Sequence, residues 1–234
     1  MLLLALDTSA AVGVALHDGS RVLAARAEED PRRHTELLAP AVRAVLAEAG
    51  ADRRDLTAIA VGVGPAPFTG LRVGLVTART LGLVLGVPVH GVCSLDAVAV
   101  TALTTAPQAL AGGFVVATDA RRREVHWARY AVADANDPLR GWIRTAGPAV
   151  GAGADVPTDG LPSVGRGAAL YPAVLPGPPA GPGAAPDAAG LDPGALASLA
   201  ADRLSRGEPL LAPDPLYLRR PDATEPAAAK RVTA

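Results

Sequence analysis

Between residues 62 and 86 the chain reads GVGPAPFTGLRVGLVTARTLGLVLG, a glycine- and proline-rich loop running into a helix with a small residue at every fourth position. Gly70, Gly74, Ala78, Gly82 and Gly86 share one helix face, so that face carries almost no side chains. Each glycine costs a helix roughly 1 kcal/mol relative to alanine, a cost that persists where something must approach the backbone closely. The remaining faces carry Leu71, Val73, Leu75, Val76, Leu81, Val84 and Leu85, and only Arg72 and Arg79 are charged. A helix apolar nearly all round is buried on more than one side. One side can be its own sheet; the other needs a second helix or a second chain. Packing within its own domain and approach by a partner both fit the stripe.

The segments around this helix set its context. Residues 2–7 (LLLALD) form a short apolar run expected as a buried strand. Residues 12–17 (VGVALH) read as a second strand, Asp18-Gly19 as a hairpin turn, and residues 21–27 as a third strand. Residues 34–50 are helical in pattern: Leu38, Val42, Val45 and Ala49 form one apolar stripe, and Gly50 is placed as a stop. A buried strand within 55–63, the striped helix, a strand at 88–92 and a helix from Ser94 to about residue 105 complete the order βββαβαβα. Three antiparallel strands followed by helical crossovers predict a mixed five-stranded sheet covered by helices.

Pro107 and Gly112-Gly113 mark a boundary, after which a similar opening recurs. The strand GFVVATDA ends in an aspartate, EVHWARY follows as a second, and 142–145 reads as a third. Residues 150–167 are loop-rich with a short strand at 163–165, and 176–190 is a Pro/Gly/Ala loop. Asp192 caps a helix to about residue 206 with Pro193 at its first position. The division expected is 1–105 for the first lobe, 112–221 for a smaller second lobe and 222–234 for a disordered tail.

Composition excludes several chemistries. With a formal net charge of −1, the chain lacks the basic excess usual for a nucleic-acid surface; its arginine runs are scattered and balanced by acids. The uncharged stretch 97–118 is broken by Pro107, Gln108 and Gly112-Gly113, so it divides into helix, turn and strand rather than a membrane span. Cys93 is the only cysteine, and without a secretory signal a reducing cytoplasm is expected. Lys230 is the only lysine, which removes phosphate-loop, Schiff-base and kinase-type lysines together. His17, His34, His90 and His126 form no HExxH or HxxxH pair.

Asp7-Thr8-Ser9 and Asp119-Ala120-Arg121 end the first strands of the two halves. In a duplicated domain such turns face each other across a cleft, where the acids could orient Mg²⁺-phosphate and the hydroxyls and amides bind phosphate. They also suit the simpler task of ending strands and satisfying turn backbone.

Together, LALDTSAAVGVAL, HTELLAPAV, VGVGPAPFTGLRVGLVTARTLGLVLGVPVHGVCSL and TDARRREVHWARY resemble the TsaB (YeaZ) family of bacterial tRNA threonylcarbamoyladenosine synthesis. The resemblance covers most of residues 1–131. It implies an α/β, two-lobed fold of the actin, Hsp70 and sugar-kinase type (ASKHA), and a non-catalytic subunit that supports TsaD, which modifies adenosine 37 of tRNA. It implies TsaE as a further component, homodimers when alone, and tRNA contact through the complex. ATP/ADP and metal are expected on TsaD or at the shared interface, with none intrinsic. The helices at 35–49 and 70–86 are the implied interface, through Thr35, Leu38, Val42, Gly70, Arg72, Gly74, Ala78 and Gly82. Asp7, Thr8, Ser9, Asp119 and Arg121 are the vestigial nucleotide-cleft candidates. In this sequence the family's usual GPGSFTGLR loop reads GPAPFTGLR, and Pro67 removes a backbone donor. An independent small-molecule kinase and a metallopeptidase of the "glycoprotease" type are the rival classes.

Overall fold

In a computed structural model the described residues are 1–28, 34–178 and 190–219. Strands β1 (Leu3–Asp7), β2 (Val12–His17) and β3 (Val22–Glu28) form the leading meander, followed by helix α1 (His34–Glu48), strand β4 (Ala58–Gly62), helix α2 (Phe68–Leu85), strand β5 (Val89–Val92) and helix α3 (Ser94–Thr105). They build a five-stranded sheet in the order β3-β2-β1-β4-β5. β1 pairs antiparallel with β2 and parallel with β4, and β4 pairs parallel with β5. β1 and β4 are buried on both faces, which accounts for their continuous apolar runs.

A short helix α4 (Pro107–Leu110) leads into β6 (Phe114–Asp119), β7 (Glu124–Val132) and β8 (Trp142–Ala152). With β9 (Ser163–Val164) these form a second sheet in the order β8-β7-β6-β9. Helices α5 (Arg166–Leu170) and α6 (Pro193–Ser205) complete the order. β8 runs seven residues beyond the strand expected at 142–145, straight through Gly147-Pro148. It is an edge strand beside an irregular register at Trp127 and Arg129, and edges and bulges are where a strand tolerates proline. The expected loops at 29–33 and 179–189 and the tail from 220 onward lie outside the described residues.

Three apolar clusters hold these layers. Leu4, Leu6, Val14 and Leu16 on one face of the first sheet meet Leu38 and Val45 of α1 and Leu71 and Leu75 of α2. Leu3, Ala5 and Ala60 on the opposite face meet α3 and α6, whose Leu95, Leu103, Leu196 and Leu199 belong to the same cluster as Phe114, Val116 and Tyr130 of the second sheet. Helix α3 is therefore buried almost all round, as its unbroken Ala/Val/Leu pattern requires. Helix α6, though drawn from the stretch expected to form the second lobe, covers β1 and β2 of the first sheet. The outer face of the second sheet, through Val115, Ala117 and Val125, packs on Ala168 of α5.

The glycine stripe turns inward. Gly74, Ala78 and Gly82 are buried; a Cβ on Gly74 would lie 2.6 Å from Thr8 Oγ1, and one on Gly82 would collide with Val89. The side of α2 offered by its sequence to a partner is thus filled by its own sheet, and Gly74, Ala78 and Gly82 have no room for a second chain. By length and composition α2 is apolar enough to cross a membrane, but this inner face is seated in the core.

Two predictions follow from the packing. Gly74→Leu overpacks the α2–sheet contact and costs about 1–3 kcal/mol, read as a fall of several degrees in melting temperature; an unchanged or raised value would put the stripe against another molecule. His126 lies buried on β7 with Nδ1 unpartnered, and burial pulls its pKa down to about 4, against the opposing charge of Asp119. Its folded value lies below the unfolded one near 6.5, so the unfolded chain binds the extra proton first. Its contribution is complete above about pH 6.5 and is lost as pH falls toward 4, roughly 3 kcal/mol in all. Melts of His126→Leu should show a shallower loss of stability across that window, and an identical pH slope would contradict the assignment.

Candidate functional site

The turn after β1 is closed by two helices. Ser9 N–H donates to Asp7 Oδ1 at 2.6 Å, and the Ser94 hydroxyl, at the start of α3, donates to Asp7 Oδ2 at 2.6 Å. Ser94 Oγ in turn accepts from Gly64 N–H at 3.2 Å. Thr8 Oγ1 donates to the Gly70 carbonyl at 2.8 Å and accepts from Gly74 N–H at 2.9 Å. Those are the two groups that a regular helix joins to each other, so the threonine hydroxyl is inserted into the first turns of α2. Asp7 is 2% and Thr8 1% exposed. A Cβ at Gly62 would overlap the Asp7 carboxylate, which explains glycine at the end of β4. Asp7 and Thr8, proposed for a phosphate site, are bound to their own chain.

The matching turn after β6 is open. Asp119 accepts from Arg121 N–H at 2.7 Å and pairs with the Arg121 guanidinium at 3.1 Å, so its bonds close its own hairpin. The two turns share no hydrogen bond among the described residues.

Other reactive groups are silenced by burial. Cys93 is buried and its thiol is pushed up to about 12, chiefly by burial and then by the neighbouring Asp96; it is a protonated core residue at neutral pH. Asp96 accepts from the Tyr130 hydroxyl and from Arg144 Nη1, each at 2.9 Å. Burial pushes its carboxyl up against the opposing pull of Arg144. Among the described residues no three His, Cys, Asp or Glu side chains are grouped to hold a metal ion.

The surface of α1 and α2 is different in kind. Thr35 is exposed, Val42 half-buried and Leu38 in the core. Gly70 is half-buried, while Arg72 is exposed, lies 3.5 Å over the Phe68 ring and donates to the Tyr217 hydroxyl at 3.0 Å. On the outer face of α2, Val76 is 62%, Leu83 85% and Val84 74% exposed, with Phe68 at the helix start also half-exposed. Ala39, Pro40 and Ala47 of α1 are exposed as well. The stripe drew attention to the wrong side of this helix; its complement, spaced 76, 83, 84, was the legible signal for an unpartnered face.

Comparison with known proteins agrees with the segments quoted above. The family profile described as TsaD, tRNA N6-adenosine threonylcarbamoyltransferase, matches residues 23–141. An uncharacterized protein of Mycobacterium tuberculosis is 42% identical over 94% of this chain and 92% of its own. The tRNA threonylcarbamoyladenosine biosynthesis protein TsaB of Escherichia coli is 40% identical over 56% of this chain and 55% of its own. The solved structure of YeaZ from Pseudomonas aeruginosa superposes with a TM-score of 0.73 at 32% identity, covering 93% of this chain and 99% of that one. By sequence and by fold alike, the chain belongs to the TsaB/YeaZ family.

Proposed function

We propose that this chain is a non-catalytic subunit in tRNA threonylcarbamoyladenosine synthesis, one that binds a TsaD-type transferase and supports its action on adenosine 37. The observation that carries the reading is the exposed apolar outer face of α2, Phe68, Val76, Leu83 and Val84, lying beside α1. A contiguous apolar face on a soluble chain marks a protein interface, and two parallel-lying helices offer a partner's helices a groove to complete a bundle. The bound-up Asp7 turn and the protonated Cys93 supply neither a kinase's phosphate site nor a peptidase's nucleophile, which favours this reading over those rivals.

The reading includes the two-lobed actin, Hsp70 and sugar-kinase-like architecture, with the two sheets as the lobes. Nucleotide and metal belong to the TsaD partner or the shared interface, TsaE joins as a further component, and tRNA is met through the assembly, in the cytoplasm. When TsaD is absent, the same helical face serves a homodimer.

The test separates interface from fold. Val76→Asp combined with Leu83→Asp places carboxylates where a partner would bury them, each costing several kcal/mol unpaired. Since 1.4 kcal/mol is tenfold in affinity, co-purification with TsaD should fall by 100-fold or more, while the isolated chain keeps its melting temperature because both sites are exposed. The pure chain should transfer no threonylcarbamoyl group alone and restore it when added to TsaD. Undiminished association of the double variant would remove this face from the interface.

A further inference from the structure

The hairpin between β6 and β7 carries Arg121, Arg122 and Arg123 in succession, all exposed and all in the left-handed region, at φ 62°, 55° and 63°. Side-chain-bearing residues held there cost of order 1–3 kcal/mol each, whereas Gly, Asn or Asp would form such a turn with little strain. The β2–β3 turn of the same chain uses Asp18 and Gly19, with the positive φ on the glycine. No burial compensates for the arginines, so their reason must lie in what they present to solvent.

Two further arginines converge on this end of the second sheet. Arg219 donates to the Ala120 carbonyl at 3.4 Å and pairs with Glu124. Arg166 is exposed at the start of α5, between Gly165 and Gly167, both of which pack against the Ala117 carbonyl near the end of β6. The local carboxylates are engaged, Asp119 by Arg121 and Glu124 by Arg219. Arg123 and Arg166 make no ion pair among the described residues. None of the large exposed apolar side chains falls within 119–124. A protein partner would normally be met by an apolar centre, while a phosphate backbone is met by charge alone, and guanidinium matches phosphate in a bidentate fork.

We propose that the 121–123 hairpin, flanked by Arg166, is a phosphate-backbone contact for the tRNA on which the assembly acts. This rests on the chain being a subunit of that assembly and goes beyond it, because it gives the non-catalytic chain its own contact with RNA. The near-neutral net charge of the whole chain is compatible with it: a handful of contacts supplements a partner's grip and need not bind alone.

The experiment uses the complex with TsaD and a labelled, unmodified tRNA transcript, with anisotropy titrations at several salt concentrations. Replacing Arg121, Arg122 and Arg123 together by glutamine keeps the turn's backbone demands and removes its charge. The slope of log affinity against log salt should become shallower by about 2–3, at roughly 0.7–0.9 per phosphate lost, with affinity weakened at low salt and the complex intact by gel filtration. The triple lysine variant should recover the slope. Wild-type affinity and slope in the glutamine variant overturn the proposal, and so does loss of TsaD binding, which would make the hairpin a protein contact. If the wild-type chain does not assemble with TsaD, the reading of the subunit fails separately. The same titration on the isolated chain then decides the hairpin: a slope that falls in the glutamine variant upholds it, and an unchanged slope overturns it.

Discussion

The Thr8 hydroxyl, set between the Gly70 carbonyl and the Gly74 amide, fixes the relation of β1 to α2, and much of the first half depends on it. A buried hydroxyl without partners costs roughly 1–3 kcal/mol, so its two bonds are obligatory once the turn is buried. They dictate glycine at 74, because a Cβ there would displace the hydroxyl. Asp7 does the same for α3 through Ser94, and dictates glycine at 62. One short polar turn at a strand end thus sets the seats of two helices.

A second polar cluster connects that frame to the other sheet. Asp96 on α3 receives Tyr130 from β7 and Arg144 from β8, and Asp202 on α6 receives Arg140 in two bonds at 2.9 and 2.6 Å. Buried ion pairs add little net stability against well-packed apolar groups, yet removing one partner is costly because the other is left charged and dry. Their effect here is positional. The apolar cluster shared by α3, α6 and both sheets is built mainly of Ala, Val and Leu, and such surfaces slide more readily than aromatic ones. The few aromatics gather where the pairs are: Tyr130 stacks with Phe114 and meets Trp142 edge-on.

Local signals were the legible part of the sequence. Asp18-Gly19, the Gly50 stop and Asp192-Pro193 each act within a few residues, and Asp192 does cap α6 by accepting from Gly194 N–H at 2.9 Å. The order of strands and helices through residue 105 could be read from periodicity for the same reason. What could not be read was direction and distance. A four-residue repeat tells which residues share a face, not whether that face looks at its own sheet, so the stripe was open to both readings. The apolar side of α6 fits either sheet equally well, and its seat on β1 and β2 is a contact between opposite ends of the chain. β8 hid behind Gly147-Pro148, which punctuate a central strand but not an edge. Asp7 and Thr8 are the types that bind phosphate and also the types that close turns; only the positions of Ser94, Gly70 and Gly74 distinguish the two.

The two sides of α2 are then parts of one constraint. Its inner side is pared to glycine so that the helix lies close on Thr8 and Val89, and close seating fixes how Val76, Leu83 and Val84 project on the outer side. Interiors are dense and transmit strain, so bulk added at Gly74 or Gly82 shifts or tilts the helix and carries the exposed face with it. A lesion in the stripe therefore weakens partner binding without any stripe residue touching the partner. Stability and association move together for inner-face changes and separately for outer-face ones. That distinction also explains how small residues in this helix can matter for an assembly while being enclosed within a single chain.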